Sequence, residues 1–446
     1  MPRRENCTFY RCAAAAQEAG YRPCLRCRPE AAPGTPAWVG PSAVVTRALR
    51  LISDGALDDG SVSELAERLG LGERHLRRLF QDHLGASPQA VAQTRRLLFA
   101  KRLLRETELP ITQVALASGF RSHRRFHAAV RDSFGCAPRE LRRPRATGGA
   151  EPGLALRFAY RPPFDWDGLL AFLELRAVAG VECVMHGVYW RTFDEGGAVG
   201  VISVAHDARR EELAVHVFAP EPVPLIRVGE RVRRLFDLQA DPAAIAGDLR
   251  RDKILGPLLR RRPGVRVPGA WDRFEIAVRA VLGQQVTVRG ARTLAERLVE
   301  RAGRPFASIA GVPCELTQTF PAPAALAHAS LAGLGLTGAR VRALATLADA
   351  AAGGRILLDG SADSAAAHAQ LEALPGIGPW TAHYVAMRAL GEPDAFPDGD
   401  LGLRRALGTA GKPASVAELR RASEAWRPWR AYAAILLWGS EAGAND

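Results

Sequence analysis

Two glycines spaced as Gly376-Ile377-Gly378, a tryptophan and a threonine just after them, and a carboxylate on the next segment could together act on a phosphate-linked substrate. The full string is Leu374-Pro375-Gly376-Ile377-Gly378-Pro379-Trp380-Thr381-Ala382, and the carboxylate opens Asp400-Leu401-Gly402-Leu403-Arg404. Glycine at 376 and 378 permits a tight turn that carries backbone N–H groups up to a phosphate. A helix starting at Pro379 turns its positive end toward the same anion. Asp400 adds a negative charge beside it.

A Gly-x-Gly turn alone is weak evidence, since most such turns only cap helices; the whole string with its aspartate is far more specific. It closely resembles the helix-hairpin-helix, Gly/Pro-rich loop and aspartate pattern (HhH-GPD) of DNA base-excision glycosylases. The resemblance implies that Asp400 is the catalytic carboxylate, stabilising an oxocarbenium-like sugar and orienting or deprotonating water. It implies that the backbone of Gly376 and Gly378 and the side chain of Thr381 hold a phosphate of the lesion strand. It also implies a monovalent-cation site at the carbonyls of Glu372, Leu374 and Gly376. Bifunctional members carry a lysine just after the hairpin's second glycine, where this chain has Trp380, so no Schiff-base step is expected. Cys314 is the last cysteine, which excludes the iron–sulfur form of the fold. The expected chemistry is a monofunctional hydrolysis that requires no cofactor. Asp394 and Asp398 are rival carboxylates; Asp400 is preferred because Asp-x-x-apolar-Arg matches the family's aspartate segment.

Upstream, Tyr160-Arg161-Pro162-Pro163-Phe164-Asp165-Trp166 and Arg234-Leu235-Phe236-Asp237-Leu238 resemble the N-terminal domain of DNA-3-methyladenine glycosylase II, the AlkA-like branch. In that branch Trp380, Tyr384 and Trp429 match the pocket aromatics. A base alkylated on nitrogen is a cation, and an electron-rich ring attracts it by about 1–2 kcal/mol where solvent is excluded. The same charge weakens the glycosidic bond. Gly283-Gln284-Gln285-Val286 matches the segment that faces DNA, and Gln285 is the candidate to fill the gap left by a flipped base.

The elements that must position these residues divide the chain into four parts: 1–32, 43–143, 153–224 and 225–446. The overall expectation is a multidomain, mainly α protein with one small α+β domain and an all-α glycosylase domain. From about Leu225 onward the pattern is helical, with Phe274, Ala277, Val278, Val281 and Leu282 on one apolar stripe. In the α+β part, Leu154 to Tyr160, Val181 to Phe193, Val199 to Ala205 and Leu213 to Phe218 alternate as strands, and Trp166 to Arg176 has helical spacing. Two helix-turn-helix patterns precede it. One runs Ser61 to Leu71 with a second helix Glu73 to Asp82; the other runs Ile111 to Phe120 with a second helix Ser122 to Arg131. With Gly85-Ala86-Ser87-Pro88 and Phe134-Gly135-Cys136-Ala137-Pro138, this region resembles the AraC/XylS DNA-binding domain. The resemblance places Arg74, His75, Arg77 and Arg78, and Ser122, His123, Arg124 and Arg125, toward bases and phosphates of successive major grooves.

Charge agrees with a DNA partner. The formal charge is +13, and residues 1–145 hold 25 Lys and Arg against 14 Asp and Glu, so the front third carries the attraction to phosphate. Cys24-Leu25-Arg26-Cys27 has zinc-ligand spacing, and residues 3–30 resemble the C-terminal half of the Ada zinc-binding methyl-acceptor domain. Cys24 and Cys27 match that family's second ligand pair, whereas Cys7 and Cys12 do not match its first, and methyl-acceptor activity is not expected of the chain as written. No signal peptide or transmembrane run is present, so a cytoplasmic monomer is expected, acting on damaged duplex DNA and on a promoter or operator. The sequence thus describes a glycosylase of alkylated purines fused to a regulator of the alkylation response. The competing expectation is a transcription regulator whose glycosylase half only senses or tethers DNA.

Overall fold

The computed structural model describes residues 3–23, 43–142, 153–313, 315–408 and 412–442. They form two compact units, residues 1–151 with 221–230, and residues 152–220 with 231–446. Cys24 and Cys27 lie outside the described residues.

In the first unit both helix-turn-helix patterns are realised. The helix Val62–Arg68 starts from a capping box in which Ser61 accepts from the Glu64 N–H while Glu64 accepts from the Ser61 N–H. Its partner is Glu73–Leu84. The second pair is Ile111–Ala117 and His123–Phe134, and the long helix Pro88–Glu106 joins the two pairs. Leu65, Ala66, Leu76 and Phe80 are buried in the first pair, Val114, Ala115, Phe126 and Val130 in the second. Arg74, His75 and Arg78 are exposed on the first recognition helix, and Arg124 and Arg125 on the second. Arg77 is tied back to Glu73 at 2.7 Å. Ser122 precedes its helix rather than lying in it: its hydroxyl caps the helix by accepting from the Arg125 N–H at 3.4 Å.

The second unit opens with a five-stranded antiparallel sheet in the order β1-β5-β4-β3-β2, where β1 is Leu154–Ala159, β2 Glu182–Met185, β3 Val188–Glu195, β4 Ala198–Asp207 and β5 Glu212–Phe218. The single strand expected over 181–193 is two strands. His186 and Gly187 both take positive φ between the paired Met185 and Val188, a two-residue hairpin that alternation alone does not reveal. Among the described residues beyond 225, the regular elements are helices apart from a short strand pair, β6 Arg304–Pro305 with β7 Gln318–Thr319.

The helix Arg273–Leu282 is buried on more than the expected stripe, Glu275 and Ile276 included. Around it pack Leu344 and Leu347 of the helix Gly338–Ala352, and Ile377, Ala382 and Val385 of the hairpin. This shared core fixes the hairpin helices Ser364–Glu372 and Pro379–Arg388.

Candidate active site

The hairpin turn needs glycine for two reasons at Gly376. Its φ is +84°, and a Cβ there would lie 2.7 Å from the Ala343 Cβ. Gly378 is the N-cap of the following helix, no side chain caps it, and nothing lies within 4 Å of where its Cβ would be. The turn therefore offers open backbone N–H groups at a helix N-terminus.

Thr381 turns toward the core. It is buried, and its hydroxyl accepts from the Gln284 Nε2 at 3.0 Å, while the same amide donates to the Gly376 carbonyl at 2.8 Å. Helical spacing sets Thr381 on the face of Val385, toward the core, which the expectation from the motif overlooked. Of the carbonyls expected for a cation, Gly376 accepts from Gln284 and Leu374 from the Ile377 N–H at 3.1 Å. Each keeps one lone pair.

Asp400 is the N-cap of the helix Leu401–Leu407. Its Oδ1 accepts from the Leu403 N–H at 3.0 Å and from the Trp438 indole at 2.9 Å. Its Oδ2 accepts from the Trp380 indole at 3.0 Å. Three neutral donors thus fix the carboxylate, and Oδ2 retains a lone pair for a reacting group. The rivals are spent as ion pairs: Asp398 binds Arg420 at 2.7 Å, and Asp394 binds Arg427 and Arg430.

Trp380 stacks on Tyr384 with centroids 5.4 Å apart and planes 20° apart, and Tyr384 meets Trp438 at 6.1 Å. The Tyr384 hydroxyl accepts from Arg388 at 2.8 Å. Burial alone would raise the Tyr384 phenol, but Arg388, with Arg176 and Arg279, pulls it below the usual value.

Trp429 belongs elsewhere. It is buried, donates to Asp248 at 2.7 Å and meets Tyr432 edge-on. Trp438 lies nine residues on, which along the helix Arg430–Ala442 is about 13 Å and half a turn around. The third aromatic of the site is therefore Trp438, which sequence reasoning missed.

Gln285 is exposed with φ of +54°, strained for a non-glycine residue, and Val286 and Val288 beside it are each 37% exposed. Arg340 donates to the Gln284 carbonyl. In the first unit Cys12 caps the helix Ala13–Glu18 through its sulfur and donates to the Leu84 carbonyl. Among the described residues no group of three or more His, Cys, Asp or Glu could hold a metal ion, and no helix is long and apolar enough to cross a membrane.

Comparison with known proteins agrees with this layout. Family models match for the metal-binding domain of Ada at residues 1–30, a helix-turn-helix domain at 65–144 and the AlkA N-terminal domain at 155–272. A probable bifunctional transcriptional activator/DNA repair enzyme AlkA of Mycobacterium tuberculosis is 43% identical over 445 residues, 98% of this chain and 88% of that protein. DNA-3-methyladenine glycosylase 2 of Escherichia coli is 37% identical over 292 residues, 64% of this chain and 98% of that protein. A solved 3-methyladenine DNA-glycosylase from Archaeoglobus fulgidus superposes with a TM-score of 0.57 at 23% identity, covering 64% of this chain and 98% of its own, and so shares the fold. The chain belongs to the AlkA family of DNA-3-methyladenine glycosylases, in the form fused to a helix-turn-helix transcriptional activator.

Proposed function

We propose that the protein hydrolyses the N-glycosidic bond of alkylated, cationic purines flipped out of duplex DNA, with Asp400 as the catalytic carboxylate. The observation that carries this is the Asp400 carboxylate held between the Trp380 and Trp438 indoles, with Tyr384 stacked behind. The aromatic faces attract the charged base by about 1–2 kcal/mol. As the C1′–N bond breaks, its electron pair neutralises the base, and positive charge moves to the sugar. Oδ2 of Asp400 stabilises that charge and accepts a proton from the water that adds to C1′. The open amides at Gly376 and Gly378 grip a lesion-strand phosphate, and Gln285 fills the vacated stack.

The exposed Arg74, His75, Arg78, Arg124 and Arg125 support promoter binding by the first unit. Cys24 and Cys27 are the thiolates that would hold zinc in the Ada-type segment. A cation at the hairpin carbonyls would use their remaining lone pairs.

Release of 3-methyladenine or 7-methylguanine from methylated duplex DNA, lost in Asp400→Asn, tests the chemistry. Equal release by the variant moves the role away from Asp400, and no release by either protein favours a regulator. A footprint on the protein's own promoter tests the regulatory half, and equal protection of every sequence overturns it.

A further inference from the structure

Behind Tyr384, where the sheet meets the helical core of the second unit, lies a small cavity that the proposed reaction does not use. Four guanidiniums, from Arg176, Arg191, Arg279 and Arg388, and two carboxylates, from Glu182 and Glu275, line it. Glu182 accepts from Arg191 at 3.1 Å and from Arg279 at 2.6 Å. Glu275 accepts from Arg279 at 2.9 Å and also from Arg191. That quartet is neutral.

Arg176 and Arg388 are left over. Among the described residues neither has an ion-pair partner. They lie over the Phe172 ring at 3.7 and 4.8 Å and donate to neutral oxygens, Arg176 to the Phe172 carbonyl and Arg388 to the Tyr384 hydroxyl. Burial draws the Arg176 guanidinium down to about 10 and lowers that of Arg388, as surplus positive charge in a desolvated place must.

Two further donors are unmatched. The Arg191 Nε and the Trp271 Nε1, both on buried residues of the lining, have no hydrogen-bond partner among the described residues. The Arg191 guanidinium lies 5.8 Å from the Trp271 ring. An unsatisfied buried N–H is costly, and two beside a net positive charge call for an acceptor that is itself negative. The space accommodates one particle of about water size. A water molecule could accept from both N–H groups but would leave the surplus charge of Arg176 and Arg388 unmatched.

We infer that this cavity binds one small monovalent anion of the halide class, held by the N–H groups of Arg191 and Trp271 and by the surplus charge of Arg176 and Arg388. The site is distinct from the phosphate turn at Gly376 and Gly378. Because Arg388 also donates to Tyr384, the anion sets the charge behind the aromatic stack.

Thermal unfolding of the full chain without DNA, in sodium chloride or gluconate at constant ionic strength, tests this. The expected result is a midpoint that rises by about 2–4 °C between 1 mM and 100 mM chloride, with Trp271→Phe losing most of that gain. General salt effects would act on both proteins equally. Crystals of the unaltered chain grown in bromide give the direct answer: an anomalous peak in the cavity is expected. If the variant fails to fold, the crystals decide alone. A cavity without that peak, or chloride and gluconate curves that coincide, overturns the inference.

Discussion

The Trp438 indole N–H donates to Oδ1 of Asp400 at 2.9 Å, so the last described helix of the chain reaches back to hold the carboxylate that the proposed reaction uses. The Trp380 indole holds the other oxygen, and the two tryptophans fix the orientation of the carboxyl plane.

Trp438→Phe keeps an aromatic face but removes the donor. A hydrogen bond to a charged group is worth about 1.5–3 kcal/mol, so kcat/KM for base release should fall roughly 10- to 100-fold, beside a loss of stability of no more than about 1–3 kcal/mol. Trp380→Phe should lose a similar amount, and the double variant less than the product of the two, because both act on one carboxylate. Base-release kinetics on methylated duplex check this, and strictly multiplicative losses would contradict a shared target.

Gly402→Ala separates stability from activity. A Cβ at 402 would stand 3.1 Å from Oδ1 of Asp400 and 3.3 Å from Cδ1 of Trp438. Gly402 is the second residue of its helix, where alanine gains less than the roughly 1 kcal/mol of a helix interior, and that gain offsets the crowding. The variant should therefore change little in unfolding temperature while kcat/KM drops, a pair of readings that calorimetry and base release give independently.

Trp429→Phe should do the reverse. It breaks the bond to the exposed Asp248 and leaves part of the buried indole's space unfilled, costing about 1–3 kcal/mol of stability. The folded protein should release base at the unaltered rate, and loss of kcat without loss of stability would return Trp429 to the pocket.

Asp237 governs part of the pH dependence of stability. Burial raises its carboxyl to about 6, against the opposing pull of Arg266 and the hydrogen bonds from Tyr432 and Val267. The folded value lies above the unfolded value near 3.9, so the stabilisation is complete below about pH 4 and is lost as pH rises through 6. Asp237→Asn, which keeps both acceptor contacts, should flatten the unfolding midpoint across that window and gain up to about 3 kcal/mol at pH 7.5.

The hairpin and Asp400 were legible because their roles are local: a turn that needs Gly376, a helix that starts at Pro379, and an aspartate that caps the next helix. Trp438 was not, because its meaning depends on which helix faces Asp400 and the run Leu436-Leu437-Trp438 reads as ordinary core. Trp429 has the same composition signal and the opposite placement. Thr381 carries the motif's identity but the core's periodicity, and the periodicity prevailed. The strand break at His186 and Gly187 hinged on two positive φ angles, which alternation of apolar residues cannot encode.

Gln284 clasps the Gly376 carbonyl and the Thr381 hydroxyl while Arg340 holds its own carbonyl, so the neighbouring Gln285 stands at a set offset from the phosphate turn. On the proposed reading, duplex DNA would meet the two as one jig of fixed spacing, and most of the distortion needed to test a base pair would fall on the helix. Lesions that have already loosened their pairing would then reach the jig at the lowest cost. Discrimination would begin in the mechanics of the duplex, before any base touches an aromatic ring.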